Sequence, residues 1–588
     1  MKDFFKSLLA SILGCFIVLG LFFLIIFVSI AAMSFSSLSS TDTYTLKDNT
    51  VLTLKLEGEL LDRVEEENPF LALLGQASDS QLGLDDILLS IKRAKENDKI
   101  KGIYINAGMF QASSASLKEI RDQLLDFKES GKFIVAYGDV YTQGCYYLSS
   151  LADKIIMNPQ GNLDLHGYAA NPMFYKGLLE KVGIEVQIFK VGTFKSAVEP
   201  FILDKMSDAN REQVSSYLGD MWSTLTSDIS ASRNISVEKL NQFTDSLVTF
   251  KKAEQTIQYG LTDTLMYETG VKEYLKTLLK VDDVKDVRLA SIKNISSVPS
   301  LKESNSGDVI AVLYAEGSIT DGSGKDGITS KRYMKEIEKL KDNDKVKAVV
   351  FRVNSPGGSA YASEQIWKAI SDLKEKKPVV VSMGDYAASG GYYISCNASK
   401  IIAQPNTLTG SIGIFGMFPN AEGLTKKIGV SFDVVKTNKY SDFGDLTRPM
   451  REDEKVILQN YIERGYDLFL TRCSDGRGIA KDSLDNIAQG RVWTGKQALE
   501  IGLVDALGSI DTAIEEAAKL AKLEDYSLSS FPKKTDFFES FLSNQKEELT
   551  TKAMKEYLGS DYQFFKTLKE IKDQDFVQAR MPYDVVVR

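Results

Sequence analysis

The chain repeats itself at a constant spacing of 246 residues, and this duplication constrains its fold more than any other feature. The run Asn97–Lys101 returns at Asn343–Lys347 with one substitution. The run Gly144–Pro159 returns at Gly390–Pro405 with nine of its sixteen residues unchanged. Two copies of this length indicate two homologous domains, and 588 residues exceed what one hydrophobic core usually serves. The sequence therefore predicts a first half at 49–295, a second half at 300–530 and a charged, helix-patterned tail at 531–588.

Within each half, short apolar runs alternate with longer amphipathic ones. Val309–Leu313, Ala348–Phe351 and Val379–Val381 have the length and the β-branched content of buried strands. Lys331–Leu340 and Glu364–Leu373 carry apolar residues at helical spacing. Strands that alternate with helices favour repeated βα units. We therefore predict an α/β fold of two tandem domains with mostly parallel sheets.

The N-terminal region predicts a membrane anchor. Ser7–Met33 is a run of 27 residues without a charge, and a helix needs about 20 such residues to span a bilayer. A cleavable signal peptide is the rival interpretation, but its apolar core would be about 7–15 residues long. Lys2 and Lys6 precede the run and the next basic residue is Lys47, so the positive-inside rule leaves the N-terminus in the cytoplasm. The predicted order is a cytoplasmic N-terminus at 1–6, a transmembrane anchor at 7–33 and a linker at 34–48.

Composition excludes several function classes. The net charge of −9 offers no general footprint for nucleic acid. His166 is the single histidine, so one chain cannot build a multi-histidine metal centre, and its counterpart in the repeat is Ile412, which favours a packing or loop position. The four cysteines form no CxxC pair and are expected to be buried apolar residues: Cys15, Cys145, Cys396 and Cys473. We expect neither a metal nor a cofactor.

The two halves differ at two positions that could carry chemistry. Ser389 in the second half corresponds to Gln143 in the first. Lys195 in the first half corresponds to Ser441 in the second. A serine hydroxyl is a weak nucleophile until a base takes its proton, and a buried lysine with a depressed pKa can serve as that base. The pair would work only if the halves face each other, within one chain or between two.

Acyl transfer also needs hydrogen-bond donors for a developing oxyanion. The buried strand at 349–353 is followed by Asn354–Ser359, where two adjacent glycines let the backbone approach a ligand closely. Gly358 is the main donor candidate in this turn. Ser389 is predicted to open a helix, so the N–H of Gly390 would be free at the positive end of the helix dipole.

These motifs resemble a known family. The matching segments are Ser355–Gly358, Met383–Tyr392, Leu408–Gly413, Gly192–Pro200 and the closing stretch Gly490–Asp505. Together they closely resemble the long, duplicated signal peptide peptidases of serine peptidase family S49, within the Clp-protease and crotonase superfamily. The resemblance covers most of residues 50–530.

The resemblance implies a serine endopeptidase with a Ser/Lys dyad. It makes Ser389 the nucleophile, Lys195 the general base, and Gly358 and Gly390 the oxyanion donors. Ser411 matches a serine that helps to hold the lysine amine. The family also implies a homotetramer that degrades hydrophobic peptides, chiefly remnant signal peptides. The expected location is a bacterial inner (cytoplasmic) membrane, with the N-terminal helix in the lipid and both halves on the periplasmic or extracytoplasmic side.

The sequence leaves two other functions open. A crotonase-type acyl-CoA enzyme would share the fold and the oxyanion hole, but it would not require Ser389 and Lys195. A proteolytically silent membrane scaffold would require neither residue. Nucleic acid is not an expected partner.

Overall fold

The computed structural model of the chain describes residues 44–64, 81–299, 306–324, 326–533 and 577–581, with scattered positions between 4 and 25. Much of the predicted anchor at 7–33, Cys15, most of the linker at 34–48 and residues 534–576 of the tail lie outside the described residues. Among the helices in the described ranges, none has the length and apolarity to cross a membrane.

The strands and helices of the described residues alternate along the chain. The strands are β1 (Thr50–Leu61), β2 (Gln81–Gly83), β3 (Ile100–Gln111), β4 (Phe133–Tyr141), β5 (Lys154–Leu163), β6 (Glu185–Lys190), β7 (Thr264–Leu265), β8 (Arg288–Ser291), β9 (Val309–Glu316), β10 (Ile319–Thr320), β11 (Ile328–Thr329), β12 (Val346–Ser355), β13 (Gly357–Ser359), β14 (Val379–Ala388), β15 (Lys400–Ala403), β16 (Leu408–Gly410), β17 (Phe415–Asn420), β18 (Val492–Thr494), β19 (Ala506–Leu507), β20 (Ser527–Phe531) and β21 (Val577–Arg580). The α-helices are α1 (Leu84–Glu96), α2 (Ser114–Lys128), α3 (Gln143–Ser149), α4 (Lys176–Val182), α5 (Glu199–Ile202), α6 (Asp208–Arg233), α7 (Val237–Asp245), α8 (Ala253–Gln258), α9 (Glu268–Leu279), α10 (Ile292–Ser296), α11 (Ser330–Asp342), α12 (Ala360–Lys374), α13 (Gly390–Ser395), α14 (Glu422–Lys427), α15 (Glu452–Arg477), α16 (Lys481–Ile487), α17 (Gly495–Glu500) and α18 (Ile510–Ala521).

Each half contains a sheet of mostly parallel strands. In the first half the order is β2-β1-β3-β4-β5-β7, β8 pairs with β1, and all of these pairings are parallel. In the second half the order is β18-β16-β14-β12-β9-β20, and β15 lies between β14 and β19. Within this second sheet, β18 is antiparallel to β16 and the other pairings are parallel. The prediction of an α/β fold with mostly parallel sheets is confirmed.

The elements that the sequence predicts in the second half are present and somewhat longer. The three apolar runs lie within β9, β12 and β14, and the two amphipathic runs lie within α11 and α12. The strands are buried on both faces, as their continuous β-branched runs require. The Ser359 hydroxyl accepts a hydrogen bond from the Ala362 N–H, at 3.2 Å, and caps α12.

A third, mixed sheet joins the halves. Its order is β11-β10-β13-β21-β17-β6, and β6 of the first half pairs antiparallel with β17 of the second. β21 belongs to the predicted tail at 531–588 and lies between β13 and β17. The prediction of a helical tail is therefore wrong for residues 577–580, because these residues find strand partners that a local sequence pattern cannot indicate.

A buried ion cluster also holds the halves together. The Arg352 guanidinium, on β12, lies 3.1 Å from Asp62 Oδ1 and 2.8 Å from Glu119 Oε2 of the first half. All three side chains are almost inaccessible to solvent. Glu119 also accepts a hydrogen bond from the Ile510 N–H at 2.7 Å. The cluster thus links the two halves by charge contacts, and loss of one partner while the others stay buried would leave a charge uncompensated in the interior.

Candidate active site

Ser389 lies at the junction between β14 and α13. Its backbone has φ 56° and ψ −112°, a conformation that a residue with a side chain seldom adopts. The Ser389 N–H donates to the Gly410 carbonyl at 2.8 Å, which ties the junction to β16. The side chain is fully buried. The predicted nucleophile is thus held in a strained turn at the end of a central strand.

Lys195 lies in the segment between β6 and α5, and it meets Ser389 within one chain. The Lys195 Nζ is 2.8 Å from Ser389 Oγ. The same Nζ is 3.1 Å from the Ser411 carbonyl oxygen and 3.1 Å from Ser411 Oγ. The structure therefore brings together the three residues that are predicted to be the nucleophile, the base and the residue that orients the base.

Burial lowers the pKa of Lys195 well below the ordinary lysine value of 10.5. The side chain is 0% exposed, and loss of water disfavours the ammonium form. A neutral amine has two hydrogens and one lone pair. Its two hydrogens can be donated to the carbonyl and hydroxyl oxygens of Ser411, which leaves the lone pair for the Ser389 hydroxyl proton. This arrangement suits a general base.

A buried polar network, which the sequence did not predict, supports the Lys195 segment. Gln213 Nε2, on α6, donates to the Phe194 carbonyl at 3.1 Å and to Ser196 Oγ at 2.8 Å. Gln213 Oε1 accepts from the Val492 N–H of the second half at 3.1 Å. Asn210 Nδ2 donates to Glu199 Oε2 at 2.9 Å. A glutamine on a long helix carries no sequence signal of this role, whereas Glu199 lies inside the matching motif Gly192–Pro200.

The predicted oxyanion glycines lie on two adjacent backbone segments. Gly358, in β13, pairs with Ile319 of β10, and a Cβ on Gly358 would lie 2.0 Å from the Ile319 carbonyl oxygen. Gly390 is the first residue of α13, where a backbone N–H has no acceptor within the helix. A Cβ on Gly390 would lie 3.1 Å from the Cα of Gly357. Only residues without side chains permit these approaches, and the Gly357–Gly358 segment thereby packs against the first residue of α13, which follows Ser389.

In the first half, a glutamine side chain occupies the position equivalent to Ser389. Gln143, the counterpart of Ser389, donates from Nε2 to the Gly167 carbonyl at 3.2 Å. Ser389 Oγ makes the matching contact in the second half, with the Gly413 carbonyl at 3.3 Å. Ser441, the counterpart of Lys195, lies in an exposed segment. The first half thus keeps the local geometry but replaces the hydroxyl with an amide.

The remaining predictions concern residues outside the dyad. His166 is an exposed loop residue whose Nδ1 lies 2.9 Å from Asp164 Oδ1. Cys145, Cys396 and Cys473 are buried free thiols. Within the described ranges, no group of three or more histidine, cysteine, aspartate or glutamate side chains could hold a metal ion.

Family comparison agrees with this geometry. The model of peptidase family S49 matches residues 126–282 and 371–524, which together are more than half of the chain. The chain belongs to peptidase family S49. A Clp protease family model also matches residues 301–409, the part of this S49 chain that contains Gly358 and Ser389.

Named relatives match this S49 chain over most of their length. It is 39% identical to Protease 4 of Salmonella typhi over 497 residues, which cover 82% of this chain and 80% of that protein. It is 37% identical to Protease 4 of Haemophilus influenzae over 526 residues, which cover 85% of each. It is 31% identical to the chloroplastic serine protease SPPA of Arabidopsis thaliana over 486 residues, which cover 81% of this chain and 70% of that protein. The S49 chain is therefore a serine peptidase, which favours the peptidase interpretation over the acyl-CoA enzyme and the scaffold.

Proposed function

We propose that this S49 peptidase cleaves peptides with a Ser/Lys dyad in which Ser389 is the nucleophile and Lys195 is the general base. The observation that carries the proposal is the 2.8 Å separation of Lys195 Nζ and Ser389 Oγ inside a fully buried site. A serine needs an adjacent base, and this lysine is the group in contact with it.

The proposed reaction runs through an acyl-enzyme. Neutral Lys195 takes the Ser389 hydroxyl proton while Oγ bonds to the carbonyl carbon of the substrate. The N–H groups of Gly358 and Gly390 stabilise the oxyanion. The protonated amine then gives its proton to the leaving nitrogen as the peptide bond breaks. Water then attacks the acyl carbon while Lys195 accepts its proton. The bond between the acyl carbon and Ser389 Oγ breaks, and Lys195 returns the proton to Oγ while Ser411 keeps the amine directed at the reaction centre.

The proposed substrates are hydrophobic peptides, chiefly remnant signal peptides after their release from preproteins. An apolar cluster adjoins the nucleophile through Ala388, the residue before Ser389. Both halves contribute buried side chains to this cluster: Val214, Tyr217 and Met221 from the first, and Leu408 and Val492 from the second. Apolar side chains of a substrate would lose water on entering such surroundings, which favours their binding.

We also propose that residues 7–33 anchor the enzyme in a bacterial inner membrane with both halves on the extracytoplasmic side. The support is the uncharged run of 27 residues and the basic residues before it. The test is extraction of membranes from expressing cells with alkaline carbonate. The full chain should stay in the pellet and a chain that begins at Tyr44 should be released. Release of both would overturn the anchor.

The catalytic proposal is tested with purified full chain and an internally quenched apolar peptide. Ser389→Ala and Lys195→Ala should each lower kcat/KM by at least about 10³-fold. Ser297→Ala and Lys272→Ala are matched controls, because both positions are exposed on the surface. Retained activity in either folded dyad variant would refute the dyad.

The repeat supports self-association. Within one chain β6 pairs with β17, and the offset of 246 relates these strands to residues 431–436 and 169–174. Both segments are described, and neither is paired as a strand within the described residues. Polar and apolar side chains alternate over residues 431–434. Phe432, Val434 and Val435 are exposed, Val435 at 96%. These are features of a strand that lacks its partner.

We therefore propose that residues 431–436 of one copy pair antiparallel with residues 169–174 of the next. If each copy makes this contact with the next, first and second halves alternate around a ring. We propose that four copies close the ring, which is the homotetramer that the family resemblance implies. Phe432→Asp with Val434→Asp should convert the assembly to monomers in sedimentation velocity. Asp substitution at exposed Leu289, on β8, is the control. Wild-type chains that sediment as monomers at micromolar concentration would contradict the proposal.

A further inference from the structure

β21 occupies a groove beside the nucleophile. On one side it pairs antiparallel with β13, so that Gly357 faces Arg580 and Gly358 faces Ala579. On the other side it pairs antiparallel with β17, where Phe415 faces Gln578. β21 is therefore bonded by its main chain to both walls of the groove. An extended peptide that adds to a sheet binds in the same way.

The register of β21 places the Ala579 carbonyl group close to Gly357 and Gly390. A Cβ on Gly357 would lie 2.1 Å from the Ala579 carbonyl oxygen and 2.7 Å from the Gly390 nitrogen. A Cβ on Gly390 would lie 3.0 Å from the same carbonyl oxygen. The Ala579 carbonyl thus lies between the two glycine segments that flank Ser389. This is the position expected of the carbonyl that a bound substrate presents for attack.

The side chains of Ala579 and Met581 occupy buried sites, as the side chains of a bound substrate would. Ala579 is 0% exposed, so the site for this residue has room for a small side chain. Met581 is buried in the apolar cluster that contains Ala388 and Tyr217, and its N–H donates to the Pro356 carbonyl at 2.8 Å. A small residue at one position and a large apolar residue two positions later therefore fill sites that the two halves build together.

We infer that residues 577–581 are an internal, substrate-like ligand of the peptide groove that competes with peptide substrates for the nucleophile. This inference rests on the proposed function, because it takes Ser389 as the attacking group. The segment belongs to the same chain, so its effective concentration at the groove is on the order of millimolar. A free peptide must compete with it at that concentration. Displacement of the segment is then required before a substrate can bind, which limits the activity of the free enzyme.

The kinetic test compares three variants with the full chain. Removal of residues 577–588 should lower KM for an apolar peptide by about tenfold and leave kcat unchanged, as expected when a competitor is lost. Ala579→Trp in the full chain should act in the same direction, because the buried site cannot hold an indole. Leu528→Trp on the exposed side of β20 is the matched control and should leave KM unchanged. An unchanged or raised KM in folded truncated and Ala579→Trp chains would overturn the inference.

A binding test separates this inference from the proposed chemistry. The probe is a fluorescein-labelled peptide of residues 576–584, FVQARMPYD, and the protein carries Ser389→Ala so that hydrolysis plays no part. The peptide should bind the chain that lacks residues 577–588 and should not bind the full chain, whose groove is filled. The same peptide with Ala579→Trp should not bind either chain. Equal binding to both chains, or no binding to the truncated one, would show that β21 is only a structural strand. That outcome would leave the proposed role of Ser389 as nucleophile untouched.

Discussion

Gly490 packs directly against Lys195, with no room for a side chain between them. A Cβ on Gly490 would lie 2.7 Å from the Cα, Cβ and N of Lys195, and the φ of Gly490 is +78°. The contact crosses from the second half to the first. The contact restricts the position of the Lys195 backbone, so the segment of the second half that contains Gly490 helps to position the base.

We predict that Gly490→Ala lowers kcat/KM by about 100-fold, because a displacement of the base by part of an ångström is costly in a positioned site. The matched control is Gly478→Ala. Gly478 has a similar φ of +65° and open space around it, so the control carries the same backbone strain without the contact. Peptidase assays and thermal melts of both variants measure the effect. Equal losses of activity in the two variants would count against a positioning role for Gly490.

The pKa of Lys195 determines whether kcat/KM rises or falls with pH. Burial lowers this pKa well below 10.5, and the base is active only when neutral. We therefore expect kcat/KM to rise with pH through a midpoint well below 10.5 and then to level off. Lys195→Arg should be inactive across the range, because a guanidinium stays protonated. A rate that falls as pH rises through this region would contradict the assignment.

The same shift predicts a pH-dependent stability. Between the depressed pKa of folded Lys195 and the ordinary pKa of 10.5, the unfolded chain binds a proton that the folded chain does not. The contribution of Lys195 to the free energy of unfolding therefore rises with pH in this window, by up to about 1.4 kcal/mol per pH unit. Lys195→Met should lack this slope and should be the more stable protein at the low end of the window. Urea titrations at several pH values provide the measurement.

Ser411 is predicted to orient the lysine amine rather than to react. Its hydroxyl and its carbonyl each lie 3.1 Å from Lys195 Nζ. Ser411→Ala removes one of these two contacts, so kcat should fall by about tenfold while KM changes little. The pH midpoint of kcat should also move, and a merely structural change would leave it in place.

The buried ion cluster predicts a large loss of stability when its cation is removed. Arg352→Met leaves the carboxylates of Asp62 and Glu119 buried without their partner and should cost about 3–5 kcal/mol. The triple variant with Asp62→Asn and Glu119→Gln should recover most of that loss, because no buried charge is then left alone. Denaturant titration of the single and triple variants decides the matter. A triple variant as unstable as Arg352→Met would show that the charges are not the cause.

The duplication, the α/β alternation and the positions at which the halves differ can be read from the amino-acid sequence. These properties are local: strands and helices follow from the spacing of apolar residues, and an offset of 246 residues is visible without coordinates. Comparison of Ser389 with Gln143, and of Lys195 with Ser441, identified two positions that could carry chemistry, and the resemblance to family S49 assigned their roles.

How these residues meet depends on contacts between distant parts of the chain. Lys195 and Ser389 are 194 residues apart, and they meet within one chain because the two halves dock. The pairing of β6 with β17 and the contacts of Arg352 with Asp62 and Glu119 both cross between the halves. The structure also placed β21 between β13 and β17, although its sequence lies in a stretch whose pattern predicted a helix. Four residues carry too little periodicity to fix a conformation, and the hydrogen bonds that make them a strand come from distant parts of the chain.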